Sequence, residues 1–294
     1  MAGQKGTRGL WAAPLVPIPG NDSFALALPV LAASNPPRKV EMWLEKGGLD
    51  DSTLKQHRGD SYESEYRSTV RAAIARNSSF SNARCADREI KATSDFNEQI
   101  DLLIRLGDMI IVAEVKCWLF PADSFERFQH FGKLRSAAKQ AVRKATALRA
   151  RPDVAARALG FDEAEVSALR TVPIVVTNQG FGFSLEIDGC RVVEAALLRT
   201  YLSGGSVVAG ANIDVKTGQI VPMNFTLYVT EKQAAERFES IIAKPPLLYR
   251  FVDRIQPTLM PFPSLIGAKT MVTIFHLADV AGEERLLSQM RAPT

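Results

Sequence analysis

The sequence predicts an α/β protein in which helices flank a mixed β-sheet. Two aliphatic runs on either side of a Gly-Asp pair at residues 107–108 alternate in the manner of an antiparallel hairpin. A long helical stretch over residues 125–151 follows the hairpin, and a β-branched strand over residues 171–177 comes next. A strand that returns to the sheet after a helix gives the mixed topology of an α/β fold.

Composition limits the class of protein. A chain of 294 residues can form one large domain or an ordinary core with additions. Its net charge of +4 is compatible with a polyanionic partner but does not require one. Three cysteines, without disulfide or metal spacing, fit a reducing compartment. Because no segment reaches the roughly 18 apolar residues of a membrane helix, we expect a cytoplasmic protein that does not bind a membrane.

Residues 1–55 are interpreted as an N-terminal arm or accessory segment, since the first forty are rich in Pro, Gly and Ala. A helix is predicted over residues 62–76, and four of its side chains share one stripe: Glu63, Tyr66, Val70 and Ile74. An acid on an inward stripe is a candidate functional group. The alternative is that the helix dipole simply favours Glu63 near the N-terminus. Glu65 lies off the stripe, and we expect it to face solvent.

The hairpin brings three charged side chains to one face. A two-residue loop with Gly first favours a type II′ turn, which pairs Leu106 with Met109. Counting outward places Asp101 opposite Glu114, and Lys116 follows on the same face. Opposed like charges destabilise a sheet. A divalent metal ion held by the two carboxylates is the simplest arrangement that makes this pattern favourable.

The alternative is a solvated Glu–Lys ion pair on the wet side of a sheet. The neighbouring residues weaken it, because apolar side chains occupy both faces of the hairpin. Ile111, Ala113, Val115 and Cys117 share one face, and Leu103, Ile110 and Val112 share the other. Such a strand is buried on both sides, and a buried charge needs a partner or a function.

This pattern resembles the PD-(D/E)xK nuclease superfamily. The matching run is Ile-Asp-Leu-Leu, a short turn, and then Ile-Val-Ala-Glu-Val-Lys, although Ile100 stands where the motif has proline. The resemblance spans about residues 56–205. It implies a restriction-endonuclease-like core, a mixed β-sheet flanked by helices, with N- and C-terminal additions. Residues 206–294 would then form a C-terminal α/β accessory region.

The resemblance also implies an activity, the hydrolysis of phosphodiester bonds in DNA, as used in restriction, phage defence and repair. Asp101 and Glu114 would bind Mg²⁺, or alternatively Mn²⁺, and Lys116 would orient the attacking water. Nucleases of this superfamily often add a carboxylate from the helix before the hairpin, and Glu63 is the candidate. The protein would act alone, as a homo-oligomer or with a helicase or ATPase partner.

The helix predicted over residues 125–151 is basic in its second half. From residue 133 onward it carries seven cations and no acid: Lys133, Arg135, Lys139, Arg143, Lys144, Arg149 and Arg151. Such a run fits a phosphate-facing surface, although a merely solvated face would look the same. We expect DNA contacts from Lys133, Lys139, Gln140, Arg143 and Lys144.

The same helix has an apolar stripe that is spaced for packing on the sheet: Phe131, Leu134, Ala138, Val142 and Ala145. In related nucleases a Gln or Lys on this helix reaches the site. Gln140 resembles that residue, although it lies opposite the predicted stripe.

The rest of the chain alternates helices and strands. We predict a helical excursion over residues 152–169, strands over 183–187 and 190–193, a helix over 194–202, β-structure over 207–230, a helix over 231–243 and a buried strand over 270–277. His276 in the last strand is interpreted as a core residue.

The alternative is a nucleic-acid-binding or scaffold protein that has kept the nuclease fold but has lost catalytic activity. The presence of all three charged residues of the motif argues against it. Enzymes of another chemistry are unsupported, because the chain has no dinucleotide or phosphate-binding loop, no nucleophile elbow and no metal-spaced His/Cys set.

Overall fold

The computed structural model describes residues 15–18, 20, 23–26, 40, 51–121, 124–214, 216–246, 255–262 and 270–277. Its helices are α1 (Asp51–Arg76), α2 (Ser124–Ala150), α3 (Pro152–Leu159), α4 (Glu163–Ser167), α5 (Ala195–Ser203) and α6 (Glu231–Ala243). Its strands are β1 (Leu15–Pro17), β2 (Phe24–Leu26), β3 (Arg84–Cys85), β4 (Leu102–Leu106), β5 (Met109–Lys116), β6 (Arg170–Thr177), β7 (Glu186–Ile187), β8 (Cys190–Glu194), β9 (Ser206–Ile213), β10 (Ile220–Thr226), β11 (Ile255–Phe262) and β12 (Thr270–Leu277).

The centre of the fold is a six-stranded sheet in the order β3-β4-β5-β6-β8-β7. Strands β3, β4 and β5 are antiparallel neighbours, β5, β6 and β8 run parallel, and β7 is antiparallel to β8. The parallel connection from β5 to β6 runs through helices α2 to α4, which explains the mixed sheet. The predicted α/β class with a mixed, helix-flanked sheet is therefore confirmed.

The predicted hairpin register is confirmed. Leu106 pairs with Met109, and the pairing continues to Leu102 opposite Ala113. Gly107 has a φ of +56°, the conformation that the first loop residue of a type II′ turn requires. A Cβ at this position would lie 2.7 Å from the Cβ of Ala235, so helix α6 also demands the glycine.

Both faces of the sheet are buried, as the apolar residues of both parities predict. One face packs under α1, α5 and α6 in a core that contains Val70, Ile104, Ile111, Leu198 and Phe238. The other face packs under α2, α3 and α4 in two smaller cores. Any charged side chain within β4 or β5 must therefore find its partners inside the protein.

Helix α6, which follows the boundary predicted at residue 205, is hydrogen-bonded to residues that precede it. Tyr201 donates a 2.6 Å hydrogen bond to the carbonyl of Ala234 in α6. The carboxylate of Glu231 accepts backbone N–H bonds from Ser81 and Gly107 at 2.7 and 3.1 Å. Helix α6 therefore packs into the central core.

Two predicted elements differ from the structure by more than a few residues at their ends. Helix α1 begins at Asp51, eleven residues before the predicted start at residue 62. The strand predicted over 183–187 is shortened to β7 at Glu186–Ile187, because residues 183 and 184 lie in a turn in which Ser184 has a φ of +65°. By contrast, α6 and β12 coincide with their predicted ranges, and β12 pairs with β11 in a separate two-stranded sheet.

The predicted N-terminal arm lies mostly outside the described residues. Within them it contributes the short hairpin of β1 and β2. Among the described helices, none is both long enough and apolar enough to cross a membrane.

Candidate active site

Two carboxylates meet on neighbouring strands, as the hairpin register requires. Asp101 immediately precedes β4, and Glu114 lies in β5 at the position that continues the pairing. Both are buried, with 3% and 2% of their surface exposed. One oxygen of Asp101, Oδ2, accepts a 3.0 Å hydrogen bond from the backbone N–H of Val115, which fixes the carboxylate against β5.

The ammonium group of Lys144 lies between these carboxylates. Its Nζ is 3.2 Å from Asp101 Oδ1 and also contacts Glu114 Oε2. Lys144 is only 6% exposed, so it does not share an exposed face with Lys133 and Lys139, and its ammonium faces the two carboxylates. The DNA contact expected of this residue stays a prediction. Lys144 approaches from helix α2 and supplies the positive charge that two opposed carboxylates need.

The sequence pattern missed this position because the buried side of α2 is wider than the predicted stripe, of which Leu134, Ala138 and Ala145 are buried. That stripe began at Phe131, but Phe131 is 43% exposed. The buried side also includes Ala137, Ala141 and Leu148, and Lys144 falls between the last two at helical spacing. A second stripe drawn through these residues would have found Lys144.

Lys116 completes the charged set on the same face as Glu114. Its Nζ lies 2.6 Å from Glu114 Oε1, and its side chain is 26% exposed. Burial by itself would lower the pKa of Lys116, but the adjacent Glu114 carboxylate outweighs it and raises the pKa above its ordinary value. Lys116 is therefore a protonated, partly accessible group beside two buried acids.

Asp101 and Glu63 have raised pKa values. Burial raises the pKa of Asp101, and the charge of Glu114 adds to the effect, while Lys144, Lys116 and the Val115 N–H act against it. Burial also raises the pKa of Glu63 to about 7, helped by the charge of Asp101. Helix α1 thus brings Glu63 within electrostatic reach of the hairpin acids.

The other residues predicted to contact DNA differ in their exposure and in their existing partners. Lys133 and Lys139 are exposed on α2, where a polyanion could reach them. Arg143 is exposed but already paired with Glu98, whose two oxygens lie 2.6 and 3.0 Å from its guanidinium nitrogens. Gln140 is half-buried one turn before Lys144, so it lies nearer the site than the predicted stripe had suggested.

The carboxylate oxygens of Asp101 and Glu114 are possible ligands for a metal ion. Within the described ranges no group of three or more Asp, Glu, His or Cys residues is arranged to hold a metal. Asp101 and Glu114 nevertheless direct one oxygen each toward a single cation, the Lys144 ammonium. These two oxygens are hard donors of the kind that Mg²⁺ and Mn²⁺ prefer.

Comparisons of the chain with protein-family models, with curated proteins and with solved structures found no significant match. Function must therefore follow from the chemistry of the groups that the fold brings together: Asp101, Glu114, Lys116, Lys144 and Glu63.

Proposed function

We propose that this protein is a metal-dependent deoxyribonuclease with a restriction-endonuclease-like core. The observation that carries the proposal is that the buried carboxylates of Asp101 and Glu114 converge on one cation, with Lys116 beside them. A fold does not place two acids on adjacent buried strands without a reason, since each loses hydration there. Metal-dependent hydrolysis of phosphodiesters uses this combination of oxygen donors and a neighbouring ammonium.

The site fits a divalent cation in place of the Lys144 ammonium. Asp101 and Glu114 would hold the ion, which when bound would polarise the phosphate and lower the pKa of water for attack. Lys144 would withdraw, because two cations at one point repel each other. Its long, flexible side chain allows this without a change in helix α2.

The chain's own residues supply the remaining chemistry. Lys116 stays protonated beside Glu114, so its ammonium can orient the attacking water and offset the charge that develops on the phosphate. Glu63 is half-buried and has a pKa of about 7. It can therefore exchange a proton with solvent near neutral pH, or complete the ligand shell when it is ionised.

Exposed cations on the helix that also carries Lys144 support a nucleic-acid substrate, which we propose is DNA. Lys133 and Lys139 occupy exposed positions of α2, where they can contact phosphates. Restriction, phage defence and repair are the processes in which such an activity would serve.

A cleavage assay tests the proposal. Purified protein is incubated with plasmid, linear duplex and single-stranded DNA in the presence of Mg²⁺, Mn²⁺ or EDTA. We expect cleavage with a divalent ion, none in EDTA, and none from Asp101→Asn. The exposed acid variant Glu65→Gln serves as the matched control, because it changes a carboxylate of the same neighbourhood that lies off the site.

A second function has one observation in its favour. The Lys144 ammonium already contacts both carboxylates, so the site has a resident positive charge without a metal ion. A scaffold that had lost turnover would keep this arrangement permanently. Metal binding separates the two functions: a nuclease should show a rise in Tm with Mg²⁺ or Mn²⁺ that Asp101→Asn abolishes, whereas a scaffold should show no such rise.

A further inference from the structure

Four phenylalanines form an exposed aromatic surface beside the carboxyl end of β5. We define this aromatic surface as Phe120, Phe125, Phe128 and Phe131, which are 44%, 68%, 76% and 43% exposed. Large apolar side chains that are grouped and exposed usually mark a binding site. The other exposed large apolar residues in the described part of the chain are aliphatic, for example Ile220 and Val229.

A layer of rings beneath the surface holds it in place. Phe181 contacts the rings of Phe120 and Phe131, with centroids 6.1 and 5.1 Å apart. The ring of His130 packs edge-on against Phe181 at 5.0 Å and against Trp118 at 4.9 Å. Phe120 and Phe131 are therefore supported from below by Phe181.

Hydrogen bonds fix this supporting layer. The side chain of Gln179 contacts His130 Nε2 at 2.9 Å and accepts a 2.6 Å bond from the backbone N–H of Phe181. The backbone N–H of Trp118 donates a 2.8 Å bond to Asn178 Oδ1, which ties the loop to the end of β6. Preorganised rings lose little entropy when a flat ligand stacks on them.

Most of the aromatic surface and the buried lysine of the proposed active site lie on the same helix. Phe131 precedes Lys144 by 13 residues of α2, which is about 20 Å at helical rise. Glu114 and Lys116 are among the last residues of β5, and Trp118 follows two residues later. At the rise of an extended chain, Trp118 is at most about 13 Å along the backbone from Glu114. A nucleic acid strand bound at the carboxylates would therefore have to run about 20 Å along α2 to reach the exposed rings.

The charge around the surface favours a polyanion. Arg127, Lys133 and Arg135 are exposed on the same turns of α2 as the phenylalanines. Rings that alternate with cations match a single strand, in which bases and phosphates are both accessible. A duplex keeps the faces of its bases stacked inside and offers the rings no partner.

We propose that the aromatic surface binds unpaired bases of single-stranded DNA by stacking, and that the substrate is therefore a single strand or a duplex with an unpaired segment. This inference rests on the proposed nuclease function only in assuming that the bound strand is then cleaved. The binding itself needs no turnover and can be measured separately.

Fluorescence anisotropy in EDTA tests the inference with a labelled oligo-dT strand and a labelled duplex of the same length. We expect Phe128→Leu to weaken single-strand binding about tenfold, because leucine keeps apolar area but has no ring to stack. Phe128→Trp should retain affinity, and duplex binding should not change in either variant. Val229→Ala, which alters an exposed apolar side chain elsewhere, is the matched control.

Tryptophan fluorescence gives a second readout. Phe128→Trp should be quenched by oligo-dT beyond the wild-type signal, whereas Val229→Trp should not. Equal single-strand affinity in wild type and Phe128→Leu overturns the inference, as does an equal loss of duplex binding.

Two further results separate this inference from the nuclease proposal. Stacking without any cleavage would support the aromatic surface while removing the proposed activity. A dimer by light scattering that Phe128→Leu converts to monomer would show that a second copy occupies the surface, and the inference would be wrong.

Discussion

Lys144 and Asp101 are joined by a buried ion pair of 3.2 Å that links helix α2 to the start of strand β4. The same ammonium contacts Glu114, so one lysine serves two acids that would otherwise repel each other. The exposed fraction of each side chain is below one tenth. The two buried carboxylates therefore require a cation at the position that the Lys144 ammonium occupies.

Replacement of Lys144 by methionine tests whether this point accepts a metal ion. In EDTA, Lys144→Met should lower the free energy of unfolding by about 3–5 kcal/mol, because it leaves two buried carboxylates without their main partner. Mg²⁺ or Mn²⁺ should restore much of this loss. Chemical denaturation with and without metal measures both effects, and Arg149→Met on the exposed side of α2 is the control.

A Lys144→Met variant that is as stable as wild type in EDTA would mean that the carboxylates do not need this cation. A variant that is destabilised but indifferent to divalent ions would mean that they do not hold a metal.

The raised pKa of Glu63 predicts a pH-dependent effect on stability. A carboxyl whose pKa rises from 4.5 to about 7 on folding binds its proton more tightly in the folded state. Its contribution to stability is therefore favourable below the unfolded pKa and is lost as pH rises through about 7. In EDTA, Glu63→Gln should raise Tm relative to wild type at pH 8 and change it little at pH 5. An identical difference in Tm at both values would contradict the raised pKa, and Glu65→Gln should show none at either.

The exposed cations of α2 predict the salt dependence of DNA binding. Reversal of Lys133 and Lys139 to Glu should weaken binding and reduce the slope of log affinity against log salt by about one unit for each lost contact. Arg143→Glu should have a smaller effect on the slope, because Glu98 already neutralises that guanidinium. Anisotropy titrations over a range of salt provide the measurement. Unchanged affinity in the Lys133 and Lys139 reversal would show that this side of the helix is only solvated.

The carboxylate of Glu231 holds helix α6 in place away from the proposed site, and its removal should destabilise the protein. Burial acts to raise its pKa, but N–H donors from Asn82, Ser81 and Gly107 outweigh burial and lower it. Glu231→Ala leaves those donors unpaired and should reduce the free energy of unfolding by about 2–3 kcal/mol. Urea denaturation checks this, with the exposed Glu236→Ala as the control. A loss of stability no larger than that of the control would mean that α6 is not anchored through this carboxylate.

Local patterns in the sequence were enough to predict the hairpin and its charges. A Gly-Asp loop fixes the turn type, the turn type fixes the pairing of Leu106 with Met109, and a period of two then determines which side chains face each other. For this reason the sequence alone assigns Asp101, Glu114 and Lys116 to one face.

Long-range partners could not be predicted in the same way. Lys144 is separated from Asp101 by 43 residues, and Glu231 from Ser81 by 150. Each of these contacts depends on how a helix is rotated against the sheet. A stripe of apolar residues defines that rotation only to within about one side chain. Lys144 looked like another member of a basic run because charge alone does not reveal which cation faces inward.

The sequence did not predict the aromatic surface, for a different reason. Phe131 was assigned to the inward stripe because large apolar residues are usually buried. In the structure, small alanines fill much of the buried side of α2, and the phenylalanines remain outside. Sequence periodicity cannot distinguish these cases when both sides of a helix carry apolar residues.

The rate of DNA cleavage by Lys116→Ala tests the central claim most directly. We assign Lys116 to stabilisation of the transition state. Its loss should therefore leave a folded protein that still binds metal and DNA while slowing cleavage roughly 100- to 1,000-fold. Lys91→Ala, which removes an exposed lysine outside the site, should cut at the wild-type rate. Single-turnover cleavage with saturating Mg²⁺ or Mn²⁺ is the measurement. Normal cleavage by Lys116→Ala, or no cleavage by wild type with any metal and any form of DNA, would contradict the assignment of this site.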